Sequence, residues 1–141
     1  MDTDPYVLDV GTGNGALLFK LAKKGYKKLA GIDYSEASIK FAKRVLEANN
    51  EDGIFDSISF AYQNAFDLVD SGRFDVIHDK GTFDVVYMNK DLDNKGYAKA
   101  MRHRLNMSNP RAIFIITSCN CTSSELDEIF TDPDGSLFEK V

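Results

Sequence analysis

Apolar and polar positions alternate in two different periods along this chain. Tyr6-Val7-Leu8-Asp9-Val10 reads as a short buried strand that ends at a glycine cluster. Leu17, Leu18, Leu21 and Ala22 then recur at helical spacing, with Gly25 as the stop. Leu29-Ala30-Gly31-Ile32 predicts a second strand ending at Asp33, and Ser35 an N-cap for a helix carrying Ile39, Ala42, Val45 and Leu46. Ile58 to Tyr62 predicts a third strand, and Phe74-Asp75-Val76-Ile77-His78 a fourth, ending at Asp79. A helical stretch follows in which Tyr97, Met101 and Leu105 share a face. Ala112 to Thr117 is the most apolar run and predicts a strand buried on both faces. Thr122-Ser123-Ser124-Glu125 is a capping box opening a helix with Leu126, Ile129 and Phe130. Asp132 to Gly135 is a turn, and Leu137-Phe138 the expected start of a sixth strand.

Strands alternating with helices imply parallel pairing through right-handed crossovers, hence an α/β doubly wound, mostly parallel sheet in a single domain over 1–141. Ligands of such sheets sit outside the carboxyl ends of the strands, where strand order reverses. Four polar clusters fall at predicted strand ends: Asp9 to Gly15, Asp33 to Ser35, Gln63 to Asp67, and Asp79 to Asp84. Their meeting at one rim is the central expectation.

Composition narrows the picture without redirecting it. The chain has 141 residues, is 43% hydrophobic and carries a formal net charge of -5. That is ordinary globular composition. The acidic balance disfavours non-specific nucleic-acid binding and suits a basic partner. No apolar run approaches the ~18 residues of a bilayer span, and the acidic start Met1-Asp2-Thr3-Asp4-Pro5 lacks a signal core. Two cysteines, Cys119 and Cys121, make neither a disulfide framework nor a metal set, so a reduced, cytoplasmic home is expected.

The glycine loop suggests chemistry. Gly11, Gly13 and Gly15 join the first strand to the first helix, allowing a tight turn and close approach of a ligand to a helix N-terminus. Gly11, Gly13 and Ala16 also satisfy the relaxed dinucleotide pattern, which keeps an NAD-binding dehydrogenase open. Asp33 is placed to accept both hydroxyls of a ribose. Asn64, with a donor and an acceptor, suits an adenine edge. Asp79 ends the fourth strand and is the candidate to orient an amine or pass its proton to water. His78 reads as a packed or solvent-facing residue. Arg102, His103 and Arg104 read as a solvated basic face, with a substrate or nucleic-acid patch the lesser alternative.

Together these stretches resemble the seven-strand S-adenosylmethionine-dependent methyltransferases, a Rossmann-like class I fold. Val7 to Gly15 looks like their first motif, and Gly31-Ile32-Asp33-Tyr34-Ser35 like their second-strand acidic motif. Asp79-Lys80-Gly81-Thr82-Phe83-Asp84 and Ile116-Thr117-Ser118-Cys119-Asn120 look like segments of the lysine methyltransferases that modify translation elongation factor 1 alpha. The resemblance implies S-adenosyl-L-methionine as cofactor, protein-lysine N-methylation as the reaction and elongation factor 1 alpha as the protein substrate. It places Gly11, Thr12, Gly13 and Gly15 along the methionine moiety, and Asp9 at its amino-acid end. Asp33 goes to the ribose, Tyr34 beside the adenosine, and Asn64 and Ala65 at the adenine. Asn14 and Ser35, from the same motifs, join the cofactor-binding set, and Asp79 lies beside the transferring methyl. Asn64 stands where an acidic residue is common, and Cys121 where an aromatic one is expected. Relative to the family the chain starts almost at the first strand and stops near the sixth. It is therefore expected to be a truncated form lacking the last strands, with Ala112 to Thr117 at or near a sheet edge although its composition is that of a central strand. A small-molecule or RNA methyltransferase on the same fold, and a non-catalytic cofactor-binding form, remain alternatives.

Overall fold

The computed structural model describes residues 4–135 and 137–141; the acidic start at Met1 to Thr3 lies outside them, as does Ser136. Ten elements follow in chain order: β1 (Val7–Val10), α1 (Ala16–Lys23), β2 (Leu29–Asp33), α2 (Glu36–Asn49), β3 (Ile58–Tyr62), β4 (Val76–Lys80), α3 (Thr82–Met88), α4 (Asn94–Arg104), β5 (Ile113–Thr117) and α5 (Ser123–Phe130). The strands form one parallel sheet in the order β3-β2-β1-β4-β5. Growth runs outward from β1 to β3, then returns to β4 on the other side, so strand order reverses between β1 and β4.

Each strand's alternation feeds two cores. Val7, Leu29, Ile58 and Phe60 face Leu18, Ala22, Ile39 and Ala42 of α1 and α2. Leu8, Val10, Ile32 and Ile77 face Phe83, Tyr97, Met101 and Phe130 of α3, α4 and α5. Covered on both sides, β1 and β2 are buried throughout. Local signals place the helix ends. Ser35 Oγ accepts from the Ser38 N–H at 3.2 Å. Thr122 and Glu125 form the reciprocal capping box, with the Thr122 N–H donating to Glu125 at 2.8 Å.

Four expectations are corrected. The first concerns the burial of β5, which lies at the sheet edge expected of a truncated form but is not buried on both faces. Phe114 and Ile116 pack inward, but Ile113 and Ile115 are 37% and 43% exposed. α1 and α2 lie over β2 and β3, leaving that side of β5 open. Second, β4 begins at Val76, because the Asp75 and Val76 N–H groups both donate to the Tyr6 carbonyl and the regular ladder with β1 starts only there. Third, the helical stretch after β4 is two helices, split where Asn89 Oδ1 accepts from the Asp91 N–H. Fourth, Leu137-Phe138 forms no strand. Leu137 is buried, and the Phe138 ring stacks beside Phe114 and Phe130.

Candidate functional site

The loop after β1 is pinned from below by Gly11 and Thr12 N–H groups donating to the Ile32 carbonyl at 2.8 and 3.0 Å. Its glycines serve different ends. Gly11 has φ +69, and a Cβ there would fall 1.9 Å from Thr82 Oγ1, which itself donates to the Val10 carbonyl. Gly13 has φ +56 and open space where a Cβ would stand. Gly11 is therefore required by the protein's own packing, whereas only at Gly13 is the backbone bare toward solvent. Gly15 caps α1 against the Phe60 ring. Asp33, 7% exposed, joins the loop to β2. Its Oδ2 accepts from the Gly13 N–H at 3.0 Å and its Oδ1 from the Ser35 N–H at 2.8 Å. A carboxylate has about four acceptor sites, so two remain for a diol.

Gly11, Asp33, Tyr34, Ser35, Asn64 and Ala65 share the wall of one cavity of about 740 Å³. Gly81, Thr82, Val85 and Leu92 close it from the α3 side. Six expected site residues lie outside that wall. Gly13 and Gly15 continue the loop past Gly11 and are not in the wall itself, Gly13 with open space beside it. Asn14 is exposed and accepts from the Ala16 N–H. Thr12 is 7% exposed and packs on Gly31, its hydroxyl without a partner. Asp9 is on the opposite sheet face from Val10, where its Oδ1 meets His78 Nδ1 at 2.8 Å. That bond raises the His78 pKa against the opposing effect of burial.

Asp79 lies deeper than the cavity wall. It is 0% exposed and does not reach the cavity. Its carboxylate accepts from the Thr82 and Phe83 N–H groups and from Tyr97 Oη at 2.5 Å. Burial raises its pKa, while those hydrogen bonds oppose the rise. A carboxylate so engaged fixes the start of α3.

The basic trio at the end of α4 divides. Arg102 donates to the Leu137 carbonyl at 2.6 Å, whereas Arg104 is wholly buried and donates to the Ala65 and Asn64 carbonyls behind the cavity. Arg104 is the site-supporting residue the sequence expectations missed. The signal was present, because 97, 101 and 104 fall on one helical stripe. Asp84 is a structural anchor. It accepts from Ser118 Oγ and from the Cys119 N–H at 3.0 Å, joining α3 to the turn after β5. Tyr87 Oη adds a second tie, donating to Glu125 at 2.7 Å. Both cysteines are free. Among the described residues no three His, Cys, Asp or Glu side chains gather as a metal set, and no helix is long and apolar enough to cross a membrane.

A reversal of strand order, a glycine loop and an acidic strand end, all meeting one cavity, define a nucleoside-binding doubly wound α/β domain. The acidic diol acceptor, the bare backbone at Gly13 and the Asn64–Ala65 wall fit a nucleoside carrying a small polar tail. Residues 2–137 match the family model described as "Methyltransferase domain", and the chain belongs to that family. It is 37% identical over 127 residues to EEF1A lysine methyltransferase 2 of Danio rerio, covering 88% of this chain and 52% of that protein. It is 38% identical over 142 residues to protein-lysine N-methyltransferase EFM4 of Saccharomyces cerevisiae, covering 96% and 60%. The chain thus spans little more than half the length of these curated relatives. A crystal structure of a Pyrococcus horikoshii OT3 protein shares the fold at a TM-score of 0.64 and 23% identity, over 82% of this chain and 50% of that one.

Proposed function

We propose that this chain is the S-adenosyl-L-methionine-binding part of a protein-lysine N-methyltransferase whose substrate is EEF1A. The observation that carries the reading is the meeting of Gly11, Asp33 and Asn64–Ala65 on a single cavity at the β1/β4 reversal. Relatives that match over most of the chain, at 35–38% identity, are named as lysine methyltransferases, three of them for EEF1A by the same printed name in Danio rerio, Mus musculus and Homo sapiens. A cytoplasmic home goes with that substrate and with the acidic, cysteine-poor composition.

When bound, the cofactor supplies a methyl group already activated on a sulfonium. The residues of this chain are left with binding, orientation and water exclusion. Asp33 accepts the ribose hydroxyls with its two remaining acceptor sites. The loop at Gly13 lets the amino-acid tail lie against bare backbone. Asn64, Ala65 and Phe66 form the wall for the base. Asp79 acts as a positioning residue. It holds the first turn of α3, which carries Thr82 and Val85 into the opposite wall. A lysine amine with pKa ~10.4 must be neutral to react, which costs roughly 4 kcal/mol near neutral pH. Desolvation against Val85 and Leu92 lowers that cost.

The test combines calorimetric titration of the chain with S-adenosylhomocysteine and transfer of labelled methyl to purified EEF1A, with transfer to RNA as comparison. Saturable binding and label on EEF1A lysine are expected. Absence of S-adenosylhomocysteine binding overturns the cofactor assignment. Binding with label on RNA alone overturns the substrate.

A further inference from the structure

We infer that Arg104, which meets neither solvent nor the cavity, is a positioning residue that sets base selectivity at the nucleoside site. The inference rests on the cofactor reading above. Arg104 is the last residue of α4 and is 0% exposed. Its Nη1 donates to the Ala65 carbonyl at 2.5 Å and its Nη2 to the Asn64 carbonyl at 3.4 Å, while Nε has no partner. Asp67 and Asp70 attract the cation from farther off, and burial lowers its pKa. A guanidinium held mainly by two carbonyls is a costly way to fill core space that a methionine would fill without charge.

The gain lies in orientation. A trans peptide sets its N–H opposite its own carbonyl. The Asn64 carbonyl is turned inward, accepting from the Asp67 N–H at 3.1 Å and from Arg104 at 3.4 Å, and Arg104 fixes the next carbonyl, that of Ala65, at 2.5 Å; the N–H of Ala65 therefore turns outward, on the side where Asn64 and Ala65 wall the cavity. The next N–H, that of Phe66, is already taken by Asn64 Oδ1 at 3.0 Å. The outward face of this segment is thus a donor face: the Ala65 N–H and the Asn64 amide NH₂. Adenine offers a bare ring nitrogen, N1, as acceptor. Hypoxanthine carries a hydrogen there and opposes a donor. Phe66 secures the far end, its ring edge-on to Tyr97 at 5.7 Å. Tyr97 lies two turns before Arg104 on the same face of α4, so one helix grips the segment at both ends.

The experiment titrates the full chain with S-adenosylhomocysteine and with S-inosylhomocysteine, for the wild type, Arg104→Met and Arg104→Lys. Circular dichroism checks folding of each. The wild type is expected to prefer the adenosyl compound by about tenfold. Arg104→Met is expected to bind it about tenfold more weakly and to lose the preference. Arg104→Lys, able to hold one carbonyl, is expected to fall between. If Arg104→Met does not fold, Arg104→Lys decides, and a preference equal to wild type overturns the inference. Equal weakening toward both compounds, leaving their ratio intact, marks a merely structural arginine and also overturns it. A wild type that binds both compounds alike sinks the inference but leaves the cofactor reading standing. A wild type that binds neither removes both.

Discussion

Gly11 and Gly13 sit two residues apart in one loop, at similar positive φ, yet alanine should damage them differently. At either position the left-handed backbone costs an alanine about 1–2 kcal/mol. The reduced entropy of the unfolded chain returns about 0.4–1 kcal/mol. At Gly13 nothing else is added, because no atom lies within 4 Å of the new Cβ. At Gly11 the Cβ would meet Thr82 Oγ1 at 1.9 Å. It must push away a hydroxyl whose bond to the Val10 carbonyl contributes about 0.5–1.5 kcal/mol, and shift the first turn of α3 with it. Gly11→Ala should therefore lose about 0.5–3 kcal/mol before the shift of α3 is added, and Gly13→Ala only about 0–1.6 kcal/mol. Urea unfolding measures both. Binding should rank the other way relative to stability: Gly13→Ala, nearly wild type in folding, should lose S-adenosylhomocysteine affinity by tenfold or more, because its methyl occupies the ligand's side of the loop. Equal stability losses would refute the packing argument. Unimpaired binding by Gly13→Ala would show that no ligand approaches there.

Asp33→Ala should weaken S-adenosylhomocysteine by about 1.5–3 kcal/mol in a calorimetric titration, the value of a hydrogen bond to a charged group; an unchanged affinity would remove the ribose assignment. Tyr97→Phe takes a donor from the buried Asp79 and should cost about 1.5–3 kcal/mol in urea unfolding at neutral pH. That deficit should shrink as acid protonates Asp79, whose pKa burial has raised. His78 titrates at a raised pKa because of Asp9, so its charged form stabilises the fold. That contribution is full below about pH 6.5 and fades as pH rises through the raised value. Thermal melts of His78→Gln should thus fall further behind wild type in mild acid than in mild alkali; a gap that widens with pH would contradict the pairing. Ile115→Lys, on the open side of β5, should cost under about 1 kcal/mol, and a much larger loss would mean that this face is covered.

What the chain's pattern disclosed was whatever is encoded locally. Ser35 and the Thr122–Glu125 box fix helix starts through atoms three residues away, and both are found as expected. The glycine loop and Asp33 are adjacent through neighbouring parallel strands, so alternation alone implied their meeting. The misplaced features depend on partners distant in sequence. The apolar run Ala112 to Thr117 implied burial on both faces, but burial is set by which helices cross which face, and among the described residues none lies over Ile113 and Ile115. Asp79 and Asp9 alternate properly in their strands. Their loss from the cavity wall reflects Tyr97 and His78, 18 and 69 residues away in sequence. Arg104 looked solvated beside Arg102 and His103, because charge outweighed its place on the Tyr97 and Met101 stripe.

Asp84 couples the two stretches that narrowed the family resemblance. One carboxylate, set in the first turn of α3, receives Ser118 and the Cys119 and Asn120 N–H groups. These segments lie some thirty residues apart in the chain, yet they act as lock and strike plate. A lineage that altered one would feel the misfit in the other, and the two are expected to be inherited as a single unit wherever this wall of the cavity is kept.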